Sequence, residues 1–515
     1  MSPENKTPEI VPTEEQERIM EAGTALRDSL MIKAYAGCAK TTSLELLARK
    51  IRGPSLALAF NKSIAEEMKK RFPSNFETKT MNGLGFGVLR RALPSVSKWD
   101  LDEKKVGKIL SEEAERSSMK LTSDEWDGTR RLVSGAQSAG RLPDEKRSID
   151  YSAWKEIAED LWIETDQSRI SLANEVLRQN NALVLEGKIS FDDQVYWPTV
   201  SEGVVFPQYP TILVDEAQDL SPLQHKMLAK ATGTNSRLMV CGDPKQAIYG
   251  WRGADSNSME SIRRLRGEWT DRGLTLTFRC PKRIVERQQE HAPGFRAWPG
   301  NSDGTVERGK AGWTWSEIEK FRLAPSASLA VLCRNNAPLF SLAFQLLRDG
   351  IGVQMLGRDI GKGLRGLVSK IKGREADLEI GTFLTKARDW AEGASEIARL
   401  NGREAQGEAI RDKHECLVSI AQGSGARGTK ELEKAIDEIF AEKRARVILS
   451  SIHKAKGLEW DTVVHLDPWR IPSTHARKAA ERGDGRALEQ EWNLKYVAET
   501  RTKNTLIEVD LNEMG

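Results

Sequence analysis

Two short apolar runs, each ending in acid, constrain the fold of this chain more than any other feature. The first, Ile212-Leu213-Val214 after Thr211, opens the stretch ILVDEAQDLSPLQ and delivers Asp215 and Glu216 at its carboxyl end. The second, Leu238 to Cys241, ends in Gly242-Asp243 and delivers Gln246 within GDPKQAIYGWRGAD. A short, continuous apolar run bounded by turn residues fits a strand buried on both faces, and such strands belong to parallel sheets covered by helices. Open parallel sheets bind ligands beyond the carboxyl ends of their strands. Acid and amide side chains gathered at that edge therefore predict a ligand site there.

Strand-helix alternation extends this pattern over most of the chain. SLMIKAYAGCAKTTSLELLARK reads as strand, loop and helix, and is followed by a strand at Leu56 to Phe60 and a helix at Lys62 to Arg71. Alternation returns at Ile189 to Trp197, and then in a second region with strands at Leu329 to Cys333, Val353 to Leu356, Val447 to Ser450, Thr462 to Leu466 and Thr505 to Val509. Between these lie two charged, helical stretches without parallel strands. The expected architecture is α/β: two parallel-sheet lobes, each interrupted by a helical insertion. Lobe 1 takes residues 1–94 and 188–290 around an insertion at 95–187; lobe 2 takes 291–360 and 447–515 around an insertion at 361–446. HAPGFRAWPGNSDG, rich in Pro and Gly, reads as a linker opening the second lobe.

At 515 residues the chain exceeds what one core supports, and no apolar run approaches the ~20 residues of a membrane span. The N-terminal MSPENKTPEIVPTEEQ is polar and acidic, unlike a signal or transit peptide, so a cytoplasmic location is expected. Cys38, Cys241, Cys280, Cys333 and Cys416 show no CxxC spacing, and the six histidines no metal-ligand spacing. Disulfides and a structural zinc are not expected. A formal charge of +3 is close to neutral, so a nucleic-acid surface would have to be a local patch or groove.

Ala34-Tyr35-Ala36-Gly37-Cys38-Ala39-Lys40-Thr41 occupies the strand-to-helix turn where a phosphate loop belongs. Backbone amides at a helix start face polyphosphate, a lysine meets the β/γ oxygens and a hydroxyl meets Mg²⁺. Lys40 and Thr41 fit those roles, with Ala36, Gly37, Cys38, Ala39 and Thr42 around them. The usual pattern GxxxxGK[ST] has glycine where Ala34 and Ala39 stand, and the Ala39 methyl crowds the backbone's approach to phosphate. Asp215 then reads as the acid holding Mg²⁺ through water, as Thr41 holds it through its hydroxyl, and Glu216 as the group that orients or deprotonates an attacking water. Two acids after a strand can also simply cap a helix; the whole DEAQD signature favours the catalytic assignment.

These segments resemble motifs I, II and III of the UvrD/Rep/PcrA helicases of superfamily 1, and the likeness covers both α/β lobes. The compact inserts resemble phage members or the F-box helicase branch. The resemblance implies two RecA-like lobes, ATP and Mg²⁺ as ligands, and ATP-driven 3′→5′ translocation on single-stranded DNA with duplex unwinding, ATP lying in the inter-lobe cleft. It implies that Gln246 senses the γ-phosphate. Arg279 in LTLTFRCP and Arg501 in YVAETRTK resemble the motif IV and VI arginines that neutralise phosphoryl charge. Gln16 resembles the adenine-reading Q motif, Phe278 the ring stacked on adenine, and Glu459 in HKAKGLEW the acid at the ribose. The DNA track would comprise Trp251 and Arg252, Tyr249 beside them, Phe60, Asn61 and Lys62 in AFNKSIAEEM, Asn82 in TMNGLGF, and His453 and Lys456. A base stacked on an exposed ring contributes about 1–3 kcal/mol whatever its identity.

The partners implied are single-stranded DNA and single-strand/duplex junctions, with no membrane, and with replication or recombination proteins around a monomer. The location would be the nucleoid, or the host cytoplasm for a phage-encoded chain. Two alternatives stay open: a translocase that strips proteins from DNA, and a DNA-stimulated ATP switch or recruitment subunit with little motor output, which Ala39 favours. A helicase-nuclease is not expected, because the sequence stops shortly after the motif VI arginine. No RRM or KH signature supports RNA.

Overall fold

The computed structural model describes residues 11–25, 27–161, 163–248, 257–320, 327–400, 404–441, 447–483 and 485–514. The chain divides into two compact units, Met1–Thr275 and Leu276–Gly515.

In the first unit, strands β1 (Ser29–Ala34), β2 (Ser55–Ala59), β3 (Phe76–Thr80), β4 (Thr211–Val214), β5 (Arg237–Gly242) and β6 (Trp269–Leu274) form one sheet. Its order is β3-β2-β4-β5-β1-β6 and every pairing is parallel. The two acid-ended runs are neighbours, with Ile212 opposite Leu238 and Val214 opposite Val240. All residues of β2 and β4 are buried, as helices on both faces require. Four helices, Lys105–Arg116, Ser123–Ser138, Tyr151–Asp160 and Gln167–Leu185, interrupt the alternation between β3 and β4. A two-residue ladder, Asp100–Leu101 with Lys188–Ile189, draws the ends of this insertion together. Beneath it, Lys105 Nζ meets Asp193 Oδ2 at 2.5 Å, with both side chains buried. Gln137 and Asn180 also donate to Asp193.

The second unit repeats the design. Strands β7 (Thr305–Arg308), β8 (Leu329–Cys333), β9 (Val353–Met355), β10 (Val447–Ser451), β11 (Trp460–Leu466) and β12 (Thr502–Val509) order as β7-β12-β11-β8-β10-β9, again all parallel. Its insertion comprises the helices Arg358–Lys372, Ile380–Leu400, Glu404–Ser424 and Thr429–Ile439. The Pro/Gly-rich stretch expected as a linker is structured: Arg296–Ala297 pairs with Leu276–Thr277, and Asn301 donates to the carbonyls of Thr277 and Cys280. Both units are thus parallel sheets flanked by helices, consistent with tandem RecA-like lobes carrying helical insertions. Among the described residues no helix is long and apolar enough to cross a membrane. All five cysteines are free and buried.

Strands β3, β6 and β7 have no counterpart in the apolar pattern of the sequence. Each is an edge strand, FETKT, WTDRGL and TVER, with few fully buried positions. Charge on an exposed edge discourages pairing with other chains, and it also erases the apolar signature of a strand.

Candidate active site

The first unit gathers its candidate residues at the carboxyl ends of β1, β4 and β5. After β1, Gly37 (φ 71°) and Ala39 (φ 55°) both adopt the left-handed conformation, and the helix Lys40–Ala48 starts at once. Its first amides have no partner within the helix, which makes the turn receptive to anions. Lys40 Nζ lies 3.5 Å from Glu216 Oε1. Burial lowers the Lys40 pKa, but Glu216, Asp243 and Asp215 together raise it above the ordinary lysine value, so the ammonium stays charged. Asp215 is 3% exposed, and burial followed by Glu216 pushes its pKa up to about 7. Burial raises the Asp243 carboxyl as well, against the pull of Lys40. Three acids crowd one ammonium here, and a second cation would favour their ionised forms. With a hydroxyl at Thr41 and helix-start amides that have no partner within the helix, the donor set can accommodate a polyphosphate and a divalent ion.

Glu216 is itself left-handed at φ 53°, ψ 41°. Strained non-glycine backbone concentrates at functional sites because surrounding contacts hold it there. Those contacts come from Gln218, which the sequence reading did not single out as a site residue. Its Nε2 donates to Glu216 Oε2 at 2.6 Å, while its Oε1 accepts from the Asp243 amide at 3.0 Å. It thereby ties the end of β4 to the end of β5. Gly242 permits the approach, since a Cβ there would stand 2.5 Å from Gln218 Oε1. Gln246, 4% exposed, donates to Asp243 Oδ2 at 2.6 Å. The glutamine of DEAQD and the aspartate of GDP were visible signals; their pairing was not.

Other candidates in this unit are tied to neighbouring protein groups. Gln16 is buried, its Oε1 accepting from the Thr13 amide (3.0 Å) and its Nε2 donating to Ser43 Oγ (3.0 Å). Thr42 Oγ1 accepts from Arg71, which also pairs with Glu45. Ala36 and Cys38 are buried in the loop. Phe60 is 45% exposed beyond β2, next to Asn61, which caps the helix Lys62–Arg71 by accepting from the Ile64 amide. Lys62 is exposed. Asn82 donates to the Phe191 carbonyl at 2.7 Å. Tyr249, Trp251 and Arg252 lie outside the described residues.

In the second unit, three distant segments meet. Arg279 Nε lies 2.5 Å from Glu459 Oε2, and Arg501 Nη1 donates to the Leu458 carbonyl at 3.4 Å. Arg501 is 1% exposed and also donates to the Val497 carbonyl and Thr500 Oγ1. Cys280 Sγ contacts the Thr500 carbonyl at 3.6 Å. Phe278, 43% exposed, faces Trp298 with ring centroids 5.4 Å apart. His453 and Lys456 are partly exposed around the short helix Ile452–Ala455 after β10.

Comparison with known proteins agrees with this arrangement. Residues 13–265 match the UvrD/REP helicase N-terminal domain, and residues 408–509 match the UvrD-like helicase C-terminal domain. The chain is 25% identical to F-box DNA helicase protein 1 of Schizosaccharomyces pombe over 545 residues, covering 96% of this chain and 57% of that protein. It is 27% identical to F-box DNA helicase 1 of Gallus gallus, covering 97% of this chain and 49% of the relative. With the ATP-dependent DNA helicase UvrD2 of Mycobacterium tuberculosis it shares 23% identity, covering 96% of this chain and 78% of the relative. The chain therefore spans about half the length of the two F-box relatives. Taken with the two parallel-sheet units, these matches give the chain the domain architecture of the superfamily 1 UvrD/PcrA-like helicases.

Proposed function

We propose that this protein is an ATP-dependent DNA translocase and helicase moving 3′→5′ on single-stranded DNA. The observation that carries the reading is the cluster of Lys40 and Glu216 with the buried Asp215 and Asp243 at the start of a helix, within the span matching the UvrD/REP N-terminal domain. Lys40 draws in the triphosphate, and the helix amides hold its oxygens. Thr41 and Asp215 would hold Mg²⁺, which when bound neutralises charge on the transferred phosphoryl group. Glu216, held by Gln218, orients the attacking water and accepts its proton. Gln246 couples that region to the DNA-contacting segment after β5. Arg279 and Arg501 contribute the guanidinium charge that phosphoryl transfer requires, and Arg501 must turn out of its backbone contacts to do so. Phe278, Gln16 and Glu459 bind the nucleoside; Gln16 and Glu459 must exchange protein partners for it.

Along the strand, Phe60, Asn61, Lys62, Asn82, His453 and Lys456, with Tyr249, Trp251 and Arg252, form the track for single-stranded DNA and its junctions with duplex. The two long matches to F-box helicases support the F-box-like branch of the family, and the protein is read as a monomer acting in the cytoplasm or nucleoid.

The test pairs ATP hydrolysis, with and without single-stranded DNA, with strand displacement on substrates carrying 3′ or 5′ tails. DNA-stimulated hydrolysis and displacement from 3′ tails are expected, with affinity for the strand falling as salt rises. Displacement from 5′ tails alone overturns the polarity. The left-handed Ala39 favours a second reading, a DNA-stimulated ATP switch, which would hydrolyse ATP without displacing any strand.

A further inference from the structure

Glu499 sits at the end of the helix Arg486–Glu499, two residues before Arg501, and is 1% exposed. Four donor contacts converge on its carboxylate. Arg287 grips both oxygens, Nε to Oε2 at 3.1 Å and Nη2 to Oε1 at 2.9 Å. Gln288 Nε2 donates to Oε2 at 2.6 Å, and Lys495 Nζ lies 3.9 Å from Oε1. Arg287 also reaches Glu508 on β12 at 2.6 Å. Arg287 ends the short helix Lys282–Arg287, which leads directly from Arg279. The Arg287–Glu499 pair thus closes a ring between the segment carrying Arg279 and the segment carrying Arg501, and the Cys280–Thr500 contact lies inside it.

His465 Nδ1 and Nε2 are buried without a hydrogen-bond partner, and one ring nitrogen lies within 4.8 Å of a carboxylate oxygen of Glu499 and of Glu508. That trio has the chemistry of a metal site. Arg287, however, already occupies the carboxylate oxygens a metal would need, and together with Lys495 it balances their charge. The cation of this cluster is the guanidinium. A buried ion pair adds little net stability compared with well-packed apolar residues, and one use for it is to fix a single geometry.

We propose that Glu499 is a positioning residue: it clamps the Arg279 and Arg501 segments at one spacing, so that both guanidinium groups act on the triphosphate together. The inference rests on the nucleotide-hydrolysis reading above. Glu499→Gln keeps the shape but removes the charge and half of the acceptor capacity, which leaves Arg287 to Glu508 alone and loosens the ring. Misplacing a charge-stabilising group by about 1 Å costs up to about 100-fold in rate.

The experiment is a double-mutant cycle on DNA-stimulated ATP hydrolysis by the full chain, comparing wild type, Glu499→Gln, Arg501→Lys and the double variant. Glu499→Gln is expected to lower kcat about 10- to 100-fold with KM for ATP little changed. In the Arg501→Lys background, most of that factor should disappear, because the group being positioned is already impaired. A purely structural role would lower kcat by the same factor in both backgrounds, and that result overturns the proposal, as does an unchanged kcat in the single variant. If Glu499→Gln fails to fold, Gln288→Met removes one donor from the same carboxylate and enters the same cycle, with the same outcomes expected. A wild-type chain without ATP hydrolysis would remove the underlying reading instead, which separates the two failures.

Discussion

Replacing Ala39 with glycine measures the strain held in the turn before Lys40. Ala39 stands at φ 55°, ψ 42° and precedes the helix without a side-chain hydrogen bond. An L-residue in this conformation costs about 1–2 kcal/mol, because its Cβ crowds the following carbonyl oxygen. Glycine removes that cost but loses about 0.5–1 kcal/mol of backbone freedom on folding. The balance favours Ala39→Gly by about 0–1.5 kcal/mol. For a unit of this size, each 1 kcal/mol moves the melting temperature by about 2–4 °C, so a rise of up to about 6 °C is expected. Thermal unfolding followed by circular dichroism checks it, with Ala39→Val as the opposite control, since a β-branched residue tolerates positive φ worst. KM for ATP should fall in the glycine variant, because the methyl no longer stands between backbone and phosphate. A lower melting temperature for Ala39→Gly than for wild type would refute the reasoning, as it would show an ordinary helix-start alanine.

Lys40→Ala should abolish phosphate release from ATP while the far-ultraviolet spectrum stays that of the folded chain; turnover close to wild type would remove the phosphate-loop assignment. Lys105→Met leaves the buried Asp193 carboxylate without its cation, so urea unfolding should show a loss of about 3–5 kcal/mol, and a loss below about 1 kcal/mol would mean that Gln137 and Asn180 suffice. Burial, partly offset by Glu499, lowers the His465 pKa from 6.5 to about 4. Between those values the unfolded chain binds a proton that the folded chain refuses, so the stability from a neutral His465 is fully present above pH 6.5 and declines as pH falls towards 4. Urea midpoints at pH 7 and pH 5 should therefore differ less in His465→Leu than in wild type; equal differences would place the acid sensitivity elsewhere.

The central strands of both sheets were legible because parallel strands covered on two faces must be continuously apolar, as in ILV before Asp215 and LAVLC at Leu329–Cys333. Sequence alone also determined which side chains stand at strand ends, since one residue follows another whatever the packing. It could not reveal the polar edge strands β3, β6 and β7, whose faces carry no periodic signal, nor the pairing inside the Pro/Gly-rich stretch. Partner choice between distant residues was equally hidden. That Gln218 bridges Glu216 and Asp243, that Gln16 reaches Ser43, and that Arg287 grips Glu499 across 212 positions are decided only when the sheet brings strand ends together. Burial then favours a partner for each of these groups, because leaving one unpaired away from water costs more than any single contact returns.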